Sequence, residues 1–240
     1  MHSAIRIGLI GDFNERQKAH RAIPKALAAA SGGAAEVVWV PTDAAGKGDS
    51  LAGFDGLWCV PGMPYRSAEG AMQAIHHART SGTPFLGTSA GFQYAVIEFA
   101  RNVLGLAEAD HQKSNPKAAM PLIAPLGLSL LGVKARVRLT EGSHLRKAYG
   151  KPFATEEYHC SFGLNERYRR LIEGRGMYVA AVDDQDEIRA VEVDGHPFFV
   201  ATLFEPAMGA LAEGAAANPL VHAFVAMCER RRRGLTKVAS

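Results

Sequence analysis

Pro84-Phe85-Leu86-Gly87-Thr88-Ser89-Ala90-Gly91-Phe92-Gln93 is the stretch on which the fold reading turns. An apolar run, Thr83-Pro84-Phe85-Leu86, enters Gly87-Thr88-Ser89-Ala90-Gly91, and a helical pattern over residues 92–104 leaves it. The central five residues have the G-x-S-x-G spacing of a nucleophile elbow. There a strand turns at once into a helix, and small residues on both sides of the central one keep the turn free of clashes. This geometry pushes the Ser89 side chain out at the carboxyl edge of a sheet. It also sets Ser89 beside a helix N-terminus whose free N–H groups favour developing negative charge.

The flanking chain fits that reading. Ile5-Arg6-Ile7-Gly8-Leu9-Ile10 is a short apolar run ending in Gly11-Asp12, and residues 15–30 follow as a helix. Val37-Val38-Trp39-Val40 is a second strand closed by Pro41-Thr42-Asp43. Gly56-Leu57-Trp58-Cys59-Val60 is a third that stops at Pro61-Gly62, and residues 68–80 read as a helix. Strands alternating with helices of about 12–16 residues imply βαβ units and a parallel sheet with helices on both faces. Right-handed crossovers then gather the loops after these strands along one edge.

The second half has another character. Residues 109–131 carry three prolines without clean periodicity and read as a long ordered loop. Lys134-Ala135-Arg136-Val137-Arg138-Leu139 and Ala190-Val191-Glu192-Val193 alternate with period two, as half-exposed antiparallel strands do. Asp194-Gly195 signals a tight turn before the apolar run Pro197-Phe198-Phe199-Val200-Ala201-Thr202, and residues 220–228 read as a closing helix. With no internal repeat and no low-complexity linker, residues 1–240 are expected to form a single domain.

Composition narrows the function classes. The 240 residues are 48% hydrophobic and 21% charged, ordinary for a soluble globular protein with a sizeable core. No apolar run approaches the roughly 18 residues that a membrane span needs. Met1-His2-Ser3 leads directly into the first strand, leaving no room for a signal peptide. Cys59, Cys160 and Cys228 form neither a disulfide framework nor a C-x-x-C metal pair, so a cytoplasmic location is the expectation. The net charge is only +3, and part of it is Glu229-Arg230-Arg231-Arg232-Arg233 at the end of the last helix. Those cations read as complements of the helix dipole rather than as a nucleic-acid site, because no aromatic or Gly-rich motif accompanies them. Gly8 and Gly11 leave the G-x-G-x-x-G fingerprint incomplete, so no dinucleotide cofactor is expected. His76 and His77 sit within a helix without identifiable partner ligands, so no metal is expected either.

Several segments carry a family resemblance over nearly the whole chain. They are Ile5-Arg6-Ile7-Gly8-Leu9-Ile10-Gly11, Pro64-Tyr65-Arg66-Ser67-Ala68-Glu69-Gly70, Pro84-Phe85-Leu86-Gly87 with Gly91-Phe92-Gln93, and Gly195-His196-Pro197-Phe198-Phe199-Val200-Ala201-Thr202. Together they resemble the class I glutamine amidotransferase domain at the C-terminal end of CTP synthase. Glu157-Tyr158-His159-Cys160 before Gly163-Leu164-Asn165 is similar to a set of stand-alone proteins related to that domain, whose elbow residue can be cysteine or selenocysteine. The resemblance implies an α/β, flavodoxin-like sandwich: a mostly parallel central sheet, helices on both faces and a small antiparallel addition. It makes a homodimer an expectation.

The resemblance also exposes departures. In the family the elbow holds a cysteine, activated by a histidine that a glutamate orients, and the stretch after the last core strand reads Gln-Phe-His-Pro-Glu. Here the elbow holds Ser89 and that stretch reads Leu203-Phe204-Glu205-Pro206-Ala207. The family histidine is thus replaced by Glu205 and its glutamate by Ala207. The family's Gly-rich oxyanion loop is one residue short, reading Pro61-Gly62-Met63-Pro64. Serine, unlike cysteine, needs a positioned base. An ordinary glutamate, with a pKa of about 4.3, is a weak one at neutral pH. Glutaminase activity by the family route is therefore not expected.

Ser89 remains the candidate nucleophile; Gly-Thr-Ser-Ala-Gly is also similar to the elbow of the peptidase E and cyanophycinase enzymes. Glu205 and His159 are the candidate bases, His159 because carboxylates beside it can hold an imidazole in one tautomer. The backbone N–H groups of Gly62 and Ala90 are candidate oxyanion donors. Met63, Tyr65, Arg66 and Gln93 complete the expected binding edge. Cys160, next to His159 on an extended stretch, would face away from it. His111 and His196 read as surface histidines. Three functions fit. The first is a serine-nucleophile hydrolase or acyl-transfer enzyme acting on a small amide-type substrate. The second is a catalytically inactive binding or regulatory homologue. The third is a glutamine amidotransferase subunit of CTP synthesis, which requires a synthetase domain that this chain lacks.

Overall fold

The computed structural model describes residues 4–46 and 51–235, so Met1-His2-Ser3 and the direct lead into the first strand read from them lie outside the described residues. The first half is a run of βα units: β1 (Ile5–Ile10), α1 (Lys18–Ser31), β2 (Ala35–Val40), the single turn α2 (Thr42–Ala45), β3 (Gly56–Cys59), α3 (Ala68–Ser81), β4 (Phe85–Thr88) and α4 (Ala90–Asn102). The second half adds β5 (Ala109–His111), β6 (Met120–Pro125), β7 (Val133–Leu139), α5 (His144–Tyr149), β8 (Phe153–Tyr158) and β9 (Phe162–Leu164). It ends with α6 (Arg169–Ile172), β10 (Met177–Val182), β11 (Ile188–Val193), β12 (Phe199–Thr202) and α7 (Pro219–Arg232).

Nine strands form one sheet in the order β2-β1-β3-β4-β12-β11-β10-β7-β8. The first five in that order are mutually parallel, and β11, β10, β7 and β8 extend the sheet antiparallel. The α/β class is as the sequence implies, but the antiparallel wing is four strands rather than a small addition. Strands β3, β4 and β12 are buried throughout, as expected of short apolar strands covered on both faces. Helix α3 has clear punctuation: the Ser67 hydroxyl accepts the Gly70 N–H at 2.9 Å, and Gly82 ends the helix in the left-handed region. Among the described residues no helix is long and apolar enough to cross a membrane.

Three expectations need correction. Residues 109–131 are not a loop: β5 and β6 lie within them, paired parallel to each other, and β6 pairs antiparallel with β9 in a separate three-stranded sheet. β5 has only three residues and β6 takes its second partner from residues 162–164, so no local periodicity announces them. Strand β11 is buried rather than half-exposed, because it lies between β10 and β12. Its alternating Glu192 does not face solvent; it accepts the N–H groups of His144 and Leu145, each at 2.9 Å, and the Tyr178 hydroxyl at 2.5 Å, anchoring α5. His196 is buried as well. Its Nδ1 accepts the Phe198 N–H at 3.1 Å and its Nε2–H donates to the Ala78 carbonyl at 3.0 Å, while burial pushes its pKa down to about 4. The C-terminal arginines fasten α7 to its neighbours, Arg231 donating to the Ser81 carbonyl at 3.3 Å and Arg232 pairing with Asp55 at 3.7 Å.

Helix α4 begins in tight contact with β3. A Cβ at Gly91 would stand 2.1 Å from the Cys59 carbonyl oxygen, well inside van der Waals contact. Gly91→Ala is therefore expected to force α4 off β3 and cost about 2–3 kcal/mol, lowering Tm by roughly 5–10 °C. Thermal unfolding of the variant checks this; an unchanged Tm would show that α4 can shift freely.

Candidate active site

Ser89 ends the strand-to-helix turn with φ 53° and ψ −104°, one of two non-glycine residues with positive φ among those described. Such a conformation persists only where its surroundings impose it. Here the Ser89 N–H donates to the Thr202 carbonyl at 2.9 Å, and its own carbonyl accepts the Gln93 N–H at 3.2 Å. The elbow read from the sequence is present. Ser89 lines a cavity of about 530 Å³ between the loops after β3 and β12, the start of α1 and the segment following β8.

Glu205 lies on the same cavity, in the loop after β12. The Ser89 hydroxyl is a polar neighbour of its carboxylate that favours the ionised form, and the Glu205 N–H donates to the Glu157 carbonyl at 2.8 Å. Burial is the main cause that pushes the Glu205 pKa up, to about 7. The His159 imidazole opposes that rise, the Glu157 carboxylate adds to it, and the Ser89 hydroxyl opposes it again. The weakness expected of an ordinary glutamate therefore does not apply, because a base with a pKa near 7 is matched to neutral pH.

His159 also lines the cavity, and its Nε2 lies 2.7 Å from Glu157 Oε1. Cys160 lines it too, contrary to the expectation that the pair would face opposite ways. β8 ends at Tyr158, so strand alternation does not extend to residues 159 and 160. The Cys160 thiol lies 3.8 Å from the Leu203 carbonyl, and burial, with help from the Glu205 charge, pushes its pKa up to about 12. It is a protonated wall residue rather than a nucleophile.

Gly62, Met63 and Ala90 line the cavity as the sequence suggests. Gly62 has φ 148°, a conformation reserved largely for glycine. Behind it, buried His20 accepts the Asn14 N–H on Nδ1 at 2.9 Å and donates from Nε2 to the Pro61 carbonyl at 2.6 Å. Burial holds His20 below the usual histidine pKa, so it remains neutral. Fixing the Pro61 carbonyl toward α1 turns the Gly62 N–H of the same planar peptide the opposite way. Among the described residues, neither the Gly62 nor the Ala90 N–H donates to a backbone carbonyl.

Tyr65 and Arg66 stand outside the cavity wall. Tyr65 is buried beneath the loop, donates to the Val60 carbonyl and stacks on Tyr94 with ring centroids 5.3 Å apart, so it buttresses the edge. Arg66 is bound to Asp12 through its N–H at 2.7 Å and its Nε at 3.0 Å, tying the loop after β3 to the end of β1. Gln93 is in the wall, with an unexpected neighbour. His111, read from sequence as a surface residue, is buried and lines the same cavity. Its Nδ1 accepts the Lys113 N–H at 3.1 Å, so Nε2 carries the proton and donates to Gln93 Oε1 at 3.1 Å. Gln93 Nε2 donates onward to the Phe162 carbonyl at 2.8 Å. Burial pushes the His111 pKa down to about 4, which keeps this tautomer across neutral pH. His76 is engaged elsewhere, 3.0 Å from the buried Glu98 carboxylate. Among the described residues, no group of three or more His, Cys, Asp or Glu is placed to hold a metal ion.

This fold has counterparts among known proteins. The family described as glutamine amidotransferase class-I matches residues 18–207. CTP synthase of Saccharolobus solfataricus is 30% identical over 220 residues and that of Methanopyrus kandleri 33% over 221. Each match covers 84% of this chain but 41% of the relative, so the chain spans about two fifths of the length of these curated relatives. Among solved structures, the Trypanosoma brucei CTPS glutaminase domain with bound acivicin superimposes with a TM-score of 0.83 at 22% identity, covering 94% of both chains. A glutamine amidotransferase from Thermotoga maritima superimposes at 0.61 and 10% identity, over 96% of this chain and 99% of that one.

The raised Glu205 pKa has a stability consequence of definite sign. The folded state binds the Glu205 proton more tightly than the unfolded chain, so folding loses stability as pH rises from about 4.5 through 7. Glu205→Gln removes that loss. The variant's Tm is expected to gain on the unsubstituted protein by roughly 5 °C or more between pH 5 and pH 8. A Tm difference that is flat with pH would contradict the shift.

Proposed function

Since the chain belongs to the class I glutamine amidotransferase family and is homologous to CTP synthase, we propose that it uses this scaffold as a serine-nucleophile amide hydrolase or acyl-transfer enzyme rather than as a glutaminase of the family's cysteine type. The observation that carries the reading is that Ser89 and a buried Glu205, whose pKa is pushed up to about 7, meet on one cavity. Glu205 accepts the Ser89 hydroxyl proton as Oγ attacks the acyl carbon. The Gly62 and Ala90 N–H groups hold the oxyanion. Glu205 returns the proton to the leaving nitrogen, the C–N bond breaks, and an acyl-serine remains. Water, deprotonated by Glu205, then cleaves that ester, or a second nucleophile takes the acyl group. His159, held by Glu157, supports the ionised form of Glu205.

A serine-directed fluorophosphonate probe tests the nucleophile: Ser89 should label and Ser89→Ala should not. Labelling that persists in Ser89→Ala, or is absent from both, would leave the inactive binding homologue as the better reading. Glu205→Gln is expected to slow labelling by about 10²–10³-fold, within the range of general-base removal. In the unsubstituted protein the labelling rate should rise with pH on a limb centred near 7. Ser89→Cys is expected to show no glutamine turnover, since the base serves a hydroxyl in a differently charged cavity; measurable glutamine hydrolysis would favour the amidotransferase-subunit reading.

A further inference from the structure

The cavity has a charge asymmetry that the proposed chemistry does not use. Glu205 is the one carboxylate on its wall, buried beside Ser89. Lys18 and Lys113 line the same cavity from the exposed side, on the first residue of α1 and on the segment after β5. Among the described residues neither ammonium has a carboxylate partner. The Lys113 ammonium sits 5.9 Å from the centre of the Phe162 ring, itself a wall residue, and its charge is one cause of the lowered His111 pKa. Two exposed cations on a cavity whose reacting hydroxyl is buried form a field that attracts a negative group and repels a positive one.

We infer that the substrate is a short acyl compound with an amide at one end and an anion, carboxylate or phosphate, at the other. It carries no ammonium beside that anion. The inference rests on the reading of Ser89 and Glu205 as the reacting end. With the amide carbon at Ser89, the rest of the substrate occupies the cavity that Lys18 and Lys113 also line. An α-amino group there would meet two lysines and no free carboxylate, so the zwitterionic head of an amino acid fits poorly.

Binding separates this inference from catalysis. In Ser89→Ala protein, which cannot turn substrate over, affinities are measured by calorimetry or ligand-observed NMR for glutaramate, 4-phosphonobutanamide, neutral butyramide and glutamine. Glutaramate or the phosphonate is expected to bind at least about 10-fold more tightly than butyramide and glutamine, as two exposed ion pairs allow. Whichever anion is preferred identifies the head group. Lys18→Gln and Lys113→Gln should each lose about 3-fold of the preference, and raising salt should erode it. Their melting temperatures should stay unchanged, because both side chains are exposed. Equal binding of butyramide and the anions, tightest binding of glutamine, or a preference untouched by both lysine substitutions would each overturn the inference. Selective anion binding without fluorophosphonate labelling of Ser89 would uphold the charge recognition and reject the catalytic reading alone.

Discussion

The site depends on one constraint: α4 starts so close to β3 that its second residue can carry no side chain. Gly91 lies against the Cys59 carbonyl, and the Ser89 N–H is bound to the Thr202 carbonyl. Between these two fixed points the backbone has no relaxed path, and Ser89 takes φ 53°. That strain is sustained by packing on both sides. It aims the hydroxyl across the sheet edge at the loop after β12. Without it Glu205 would be a buried carboxylate with no Ser89 neighbour, and the first N–H groups of α4 would face another direction.

The electrostatics follow from the same enclosure. Burial that brings Glu205 onto one cavity with Ser89 also raises its pKa to the range in which it can exchange a proton at neutral pH. The histidines around the cavity carry no such charge change: His20 and His111 are desolvated, neutral and fixed in one tautomer by a backbone N–H on Nδ1. They act as rigid props, one for the Pro61–Gly62 peptide and one for the Gln93 amide. His159 differs in lying beside two carboxylates, Glu157 directly and Glu205 through the field.

Much of the parallel half is legible in the sequence because its signals are local. Short apolar runs, the helical pattern over residues 68–80 and the G-x-S-x-G turn each act within a few residues, and the observed elements differ from the expected ones mainly at their ends. Glu205 is legible only as a position, through resemblance; its basicity depends on burial by segments far away in the chain. Cys160 escapes sequence reasoning because strand alternation stops with β8, one residue before His159. His111 escapes it because β5 has three residues and takes its pairing from β6, so nothing in its immediate neighbourhood marks it as buried. Glu192 shows the opposite trap, a polar residue in an alternating run that points to a helix terminus inside the fold rather than to water.

Strand β12 is the last of the sheet to be synthesised and yet sits between β4 and β11, at the centre of the nine strands. The hydroxyl and carboxylate that meet in the cavity are separated by more than a hundred residues of chain, so their pairing is a late, high-contact-order event. A nascent chain that has just completed β4 and α4 presents the bent turn without its acid. Insertion of β12 closes the sheet, supplies the Thr202 carbonyl that pins the turn and delivers Glu205 in the same movement. Assembly of the candidate site and completion of the architecture therefore coincide, and a partly folded chain cannot bring Ser89 and Glu205 onto one cavity.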